Sequence, residues 1–437
     1  MKSRLTFWQI WNMSFGFLGV QYAFGLQQAN MSPIYRYLGA DEAKIPILWL
    51  AGPLTGLILQ PIIGAMSDRT WTVKLGRRRP YFLVGAIFTS LALVLMPYSS
   101  ALWIAASLMW LLDGAANVTM EPFRAFIADK LPEEQLPTGF AVQSFFVGFG
   151  QTLANLMPFV FPLLGISMVQ SHSETIPAFV RYSFLVGAAA ILFTVGWTIF
   201  TTDEYPPEDI EEFHRKHQGG FGAGIQGVLR ELLHAFREMP LVMRELWWVK
   251  FFTWYGLPLM WQYLALSIAR HCFGAMDAHS PGFDEGVKWG NLGLAVFSAL
   301  CFVASMALPP LAKFLTNRGA HAVCLCIGGL GFIGMLFTTN VYVVMGCMCA
   351  VGVAWASIMA MPYVMLADAV PAERVGVYMG IFNMFIVVPQ IISMVTVPLY
   401  YDSLLGGDAR NALFLAGICF FLAATSCFLV RRSHQKG

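Results

Sequence analysis

Four strongly polar residues, Asp113, Asn117, Glu121 and Arg124, interrupt an otherwise apolar run from Leu102 to Ala128. At about 100° per residue on a helix, Asp113, Asn117 and Arg124 fall within roughly 40° of one another, and Glu121 lies about 80° from Asp113. Charge inside a run long enough to cross a bilayer is expensive and marks an ion or substrate path. Desolvation favours a neutral carboxyl group and a neighbouring guanidinium favours the carboxylate. The expected chemistry is therefore reversible protonation of Asp113, tuned by Arg124. The plainer alternative is that Glu121 and Arg124 pair to fasten the helix while Asp113 is solvated in a vestibule. Glu121, three residues from Arg124 and next to Pro122, suits that structural role best.

A second set of residues suits an uncharged, hydroxylated ligand. Gln21, Phe24 and Gln28 share a helix face, with Gln27 at its border, and Asn383 and Gln390 lie beside Pro389. Amide side chains both donate and accept toward hydroxyl groups, and aromatic faces cover the apolar side of a sugar ring. The candidate binding set is Gln21, Phe24, Gln27, Gln28, Asn117, Gln151, Trp355, Asn383 and Gln390, with Trp110, Tyr22 and Tyr363 as further aromatic platforms. Any single aromatic has the ordinary alternative of packing or interfacial anchoring.

The stretch GAMSDRTWTVKLGRRRP, Gly64 to Pro80, sets an acid at a helix end before a cluster of cations. Asp68, Arg69, Arg77, Arg78 and Arg79 are the candidate gate, Asp68 pairing in one access state and releasing in the other. The alternative is that Arg77 to Arg79 only anchor the cytoplasmic side. Asp129 and Asp368 join the gating set as equivalents in an internal repeat. Ala128, Asp129 and Pro132 recur as Ala367, Asp368 and Pro371, and Gln151 and Gln390 each follow the Asp by 22 residues.

These residues need apolar elements to position them. The 437-residue chain is 57% hydrophobic and only 12% charged, with a mean hydropathy of +0.62. A soluble domain of this size does not show that balance. Spans are expected near Phe7 to Tyr35, Ile45 to Met66, Tyr81 to Met96, Leu102 to Ala128, Thr138 to Ile166 and Phe179 to Thr201. Six more fit near Trp247 to Phe273, Trp289 to Leu311, Ala320 to Thr339, Tyr342 to Ala367, Val375 to Tyr401 and Ala412 to Val430. The organisation expected is a six-helix half over 1–202, a cytoplasmic loop over 203–246 with an amphipathic helix around Val228 to Phe236, and a second half over 247–437. Lys and Arg concentrate in alternate loops, which places both termini in the cytoplasm, and the first span is expected to be retained rather than cleaved. The repeat of two halves implies a polar site between them and alternating access by rocking.

Other functions are excluded by what composition and spacing lack. A net charge of +2, without a basic stripe, argues against a nucleic-acid partner. The eight cysteines all lie in the C-terminal half without paired His ligands, so no metal site and no cofactor is expected. No nucleophile and base pairing suggests an enzyme.

The residues resemble a known family, the sucrose transporters of the major facilitator superfamily, which include plant sucrose/proton symporters and bacterial and animal relatives. The resemblance rests on AGPLTGLILQPIIGAMSDR, Ala51 to Arg69, followed by LGRRRP, Leu75 to Pro80, and on LDGAANVTMEPFRA, Leu112 to Ala125. VQYAFGLQ, Val20 to Gln27, and MGIFNMFIVVPQ, Met379 to Gln390, are similar to family segments in both halves. Glu121 and Gln151 depart from what plant members usually carry. The resemblance implies an all-α membrane protein of twelve transmembrane helices in two six-helix halves, Asp113 as proton site and Arg124 as its partner. It implies a proton-coupled importer of sucrose, maltose or a related α-glucoside, working as a monomer in the inner (plasma) membrane. The alternatives are a sodium-coupled glycoside carrier and an exporter of drugs or metabolites; a sensor or scaffold would need a larger soluble module.

Overall fold

Lipid offers no hydrogen bonds, so a chain this apolar must satisfy its backbone internally, and it does so with helices. The structure is a computed structural model and describes residues 3–166, 175–206, 237, 239–367 and 375–430. The amphipathic helix expected at 228–236, Asp368 and Pro371 lie outside the described residues.

After a short lead helix, Phe7–Ser14, which Thr6 and Gln9 cap reciprocally, the long helices follow in order. They are α1 Gly16–Tyr37, α2 Ala51–Arg69, α3 Arg79–Leu95, α4 Leu102–Lys130, α5 Leu136–Leu163 and α6 Ala178–Thr201. Then come α7 Leu241–Phe273, α8 Pro281–Gly334, α9 Val341–Ala367, α10 Val375–Tyr400 and α11 Ala409–Ser426. Helix α8, with 54 residues, holds two expected spans: the backbone turns at Thr316, whose φ is +69°. Among the described residues, nine helical stretches are long and apolar enough to cross a membrane, Pro281–Phe337 counting as one. Helices α1 and α7 are not among them. Their polar residues, Gln21, Gln27, Gln28 and Asn30 in α1 and Arg244, Glu245, Lys250 and Arg270 in α7, lower their hydropathy.

The chain forms two compact units, one of Met1–Gln27 with Leu54–Arg230, the other of Gln28–Pro53 with Glu231–Gly437. Segment 28–53 lies in the sequence between the two stretches of the first unit yet packs within the second unit.

In the first unit an aromatic core stacks Phe82 of α3 on Phe123 of α4 with centroids 3.8 Å apart, and Trp11 meets Phe146 of α5 at 4.6 Å. Helices α3 and α4 approach so closely that a Cβ on Gly85 would fall 1.9 Å from Thr119 Oγ1. Small residues at such crossings let backbones touch where lipid gives no hydrophobic drive to associate.

Arg78 and Arg79 organise the loop between α2 and α3 of this unit. The Arg78 guanidinium, nearly buried, reaches Asp68 at 2.5 Å and Asp129 at 2.9 Å and donates to Ser67 Oγ. The Arg79 guanidinium donates to the carbonyls of Ile199 and Thr202 and to Asp203. That capping supplies donors to carbonyls left open at the end of α6.

In the second unit, Glu42 is 8% exposed and fastens segment 28–53. Its carboxylate accepts from Arg270 at 3.1 Å and from Tyr401 at 2.9 Å, with Arg36 at 3.5 Å. Tyr263, stacked on Tyr401 at 5.1 Å, donates to the Glu42 carbonyl. Tyr37 donates to Asp284 at 2.6 Å, and Asn30 and Asn291 exchange hydrogen bonds. A buried carboxylate is tolerated when this many donors converge on it.

Candidate functional site

Asp113 sits midway along α4, 1% exposed. Its Oδ1 accepts from Gln27 Nε2 at 2.8 Å, and its Oδ2 has no hydrogen-bond partner among the described residues. One turn on, Asn117, also buried, donates to the Asp113 carbonyl at 2.9 Å and to Thr55 Oγ1 at 3.2 Å. Gln60 of α2 donates to Asn117 Oδ1 at 2.7 Å. Two helices thus hold this face of α4, α1 through Gln27 and α2 through Thr55 and Gln60, while α3 packs against another side of α4 at the Gly85 crossing with Ala115 and Thr119. The i, i+4 spacing of Asp113 and Asn117 stacks them on one face, and the amides leave the acid with a neutral neighbour rather than a cation.

The expected pairing of Asp113 with Arg124 is corrected by this geometry. Arg124 is half-exposed and pairs with Glu121 at 3.8 Å, with Met120 Sδ as its other contact. Their angular positions coincide, but eleven residues at ~1.5 Å rise separate them by about 16 Å along the helix axis. A guanidinium does not reach that far back. The plainer reading of Glu121 with Arg124, an intrahelical pair, matches their contact.

The amide candidates divide between the units. Gln151 of α5 donates to Gln21 Oε1 of α1 at 2.9 Å, so Gln21, Gln27, Asn117, Gln151 and Asp113 belong to the first unit. Phe24 packs against that unit's aromatic core. Tyr22 is fully buried and Trp110 is 45% exposed. Gln28 falls in the second unit, as do half-buried Asn383 and Gln390 of α10 and half-buried Trp355 of α9. Trp355 packs against Trp254, Trp261 and Phe297 at 5.7–6.1 Å.

Of the gating candidates, Asp68 and Asp129 converge on Arg78. Arg69 and Arg77 are half-buried, and Asp368 is outside the described residues. Two residues escaped the sequence reading. Glu204 accepts from the backbone N–H groups of Arg77, Arg78 and Arg79 at 2.8–2.9 Å, placing a carboxylate on the open donors that begin α3. Lys250, 1% exposed in α7, is an ionisable residue inside an expected span, the signal that singles out Asp113.

Comparisons with known proteins bear on this arrangement. The family model described as Major Facilitator Superfamily matches residues 13–394. Among curated proteins, the chain is 25% identical to the sucrose transport protein SUC4 of Arabidopsis thaliana over 93% of this chain and 88% of that one. It is 27% identical to the sucrose transport protein SUT2 of Oryza sativa subsp. indica, over 94% and 90%. The general alpha-glucoside permease of Schizosaccharomyces pombe is 25% identical over 67% of this chain and 54% of that protein. Among solved structures, the nucleoside transporter NupG superposes with a TM-score of 0.71 at 12% identity, over 98% of this chain and 99% of that one. The inward-open xylose transporter XylE from E. coli gives 0.69 at 13%, over 99% and 98%.

Proposed function

The chain belongs to the Major Facilitator Superfamily, and on that premise we propose that it imports a disaccharide, sucrose, maltose or a related α-glucoside, together with a proton. It is a multi-pass membrane transporter and not an enzyme; no covalent bond is made or broken.

The observation that carries the proton reading is Asp113: a carboxyl group buried in α4, hydrogen-bonded through one oxygen to a neutral amide. An acid so placed has no fixed cation to hold it ionised, so it takes its charge state from proton exchange with water that reaches it. In this reading Asp113 binds the proton, and Gln27, joined to it, carries that state to the helix that also bears Gln21. The sugar reading follows from neutral amides, Gln21, Gln27, Asn117 and Gln151 in one unit and Gln28, Asn383 and Gln390 in the other, which suit hydroxyl groups rather than ions. The sucrose and α-glucoside names of the relatives support the substrate class.

Proton and sugar must each favour the reorienting state for transport to be coupled, which makes their affinities reciprocal. Alternating access moves the site from one side to the other, with Asp68, Asp129 and Arg78 as part of the cytoplasmic gate. The protein works as a monomer in the inner (plasma) membrane with both termini cytoplasmic.

The test is uptake by a transport-deficient cell given labelled sucrose, maltose or monosaccharides at two pH values, with and without sodium. Uptake of a disaccharide that rises at the lower external pH, with alkalinisation of the medium, is expected. Uptake that follows sodium and not pH overturns proton coupling, and sugar-independent efflux overturns import.

A further inference from the structure

The second unit carries a row of donors that the Asp113 site does not use. On α7, Lys250, Trp254 and Trp261 recur at spacings of four and seven, which sets them within roughly 40° on one helix face. Lys250 and Trp254 are 1% and 5% exposed. Lys250 Nζ, Trp254 Nε1 and Trp261 Nε1 are all buried, and none has an acceptor among the described residues.

Lys250 Nζ lies 4.5 Å from the Phe382 ring centroid, 4.6 Å from that of Tyr363 and 5.8 Å from that of Trp254. Ring faces supply no oxygen to its N–H groups. Nearby His321 is engaged with Ser357 Oγ at 2.7 Å. Trp355 of α9 packs edge-on against both tryptophans, at 5.8 Å and 72° from Trp254 and at 6.1 Å and 89° from Trp261. Trp261 and Trp355 are only half-buried, so the row is approachable at that end.

Buried donors are normally paired, and each orphan costs free energy. Three on one face, with no carboxylate among them, call for a ligand rich in acceptor oxygens, and the tryptophan rings call for one with a flat apolar side. A pyranoside has both. Trp254 and Trp261 are about 10 Å apart along the axis, which one sugar ring does not span and two linked rings do.

We propose that this face of α7, with Trp355, is a disaccharide-binding face within the second unit: Trp254 and Trp261 each donate to a sugar oxygen, and Lys250 is the specificity-determining donor at its deep end. The assignment rests on the disaccharide reading above.

Binding of tritiated sucrose and maltose to the purified full-length protein at fixed pH tests it. Trp254→Phe and Trp261→Phe keep a ring and remove one N–H; Lys250→Met keeps the apolar stem. Each Trp→Phe change is expected to raise Kd by about 2- to 10-fold and Lys250→Met by about 10-fold or more, the range for a neutral and a charged hydrogen bond. Melting temperatures should hold or rise, because an orphan donor has gone. A purely structural role would move the melting temperature and leave Kd alone, and that result overturns the proposal. Should Lys250→Met fail to fold, the two phenylalanine variants decide. If the wild type binds neither sugar, the disaccharide reading falls and this inference with it; if it binds and all variants bind equally, this inference alone falls.

Discussion

Replacing Asp113 by Asn should uncouple sugar movement from the proton gradient without stopping sugar movement. The substitution is nearly isosteric, and the Asn carbonyl oxygen can still accept from Gln27, the contact made at 2.8 Å. The other oxygen, unpartnered among the described residues, becomes an amide nitrogen and breaks no bond shown there. One acid with no cation beside it exchanges one proton per cycle, and a pH difference of one unit is then worth about 1.4 kcal/mol. That equals about tenfold accumulation of sugar. In proteoliposomes clamped at zero membrane potential, with the lumen one pH unit above the medium, the wild type should accumulate labelled sugar about tenfold. Asp113→Asn should equilibrate at a ratio near one while keeping counterflow exchange. The variant should be no less stable, since burying a carboxylate costs more than burying an amide. Accumulation by the variant that still follows pH would refute the reasoning, and so would loss of counterflow in a protein that remains folded.

Glu204→Ala removes the acceptor shared by three backbone N–H groups at the start of α3 and should cost about 1–2 kcal/mol in thermal unfolding in detergent, with Glu204→Gln recovering part of it. Gly85→Val forces a side chain against Thr119, where a Cβ would already stand at 1.9 Å; an overpacking loss of about 1–3 kcal/mol is expected, with reduced uptake because α4 carries Asp113. Asp408 caps α11. Burial pushes its carboxyl group up, but hydrogen bonds from His271 and the Arg410 N–H, with the Arg270 charge, outweigh that and leave it below the usual carboxylate range. Its contribution is therefore complete above pH ~4 and is lost as pH falls through the lowered folded value. Melting curves of wild type and Asp408→Asn should differ at pH 7 and converge in acid; a gap that persists below the folded value would show that the charge is not responsible.

Much of the scaffold could be read from apolar run lengths, because a bilayer imposes one length on every span. The Thr316 turn inside α8 separates two spans that charge and turn punctuation had already divided. The polar face of α4 was legible for the same reason: Asp113 and Asn117 are conspicuous among apolar neighbours. Their partners were not. Rotation about the axis aligned Asp113 with Arg124, but rotation carries no information about rise, and the axial separation decided the contact. Gln27, placed at the border of its face, proved to be the residue that reaches Asp113, since which side of α1 meets α4 depends on packing between helices. Lys250 stands out by the same rule as Asp113, but without the cluster of polar neighbours that marks the fourth span. Glu204 and Glu42 gave no local signal, as each acts on backbone or side chains far away in the sequence.

The fastening of segment 28–53 sets a timetable for biogenesis. Glu42 receives its bond from Tyr401, 359 residues later in the chain. At ~5–20 residues per second, a ribosome needs roughly 20–70 s to make that stretch. Until then an acid destined for burial emerges without the phenol that will meet it, so the nascent amino-terminal hairpin must be sheltered by water or by the insertion machinery. A side chain made late completes a segment made early, and a nonsense codon anywhere between Glu42 and Tyr401 leaves segment 28–53 without that bond.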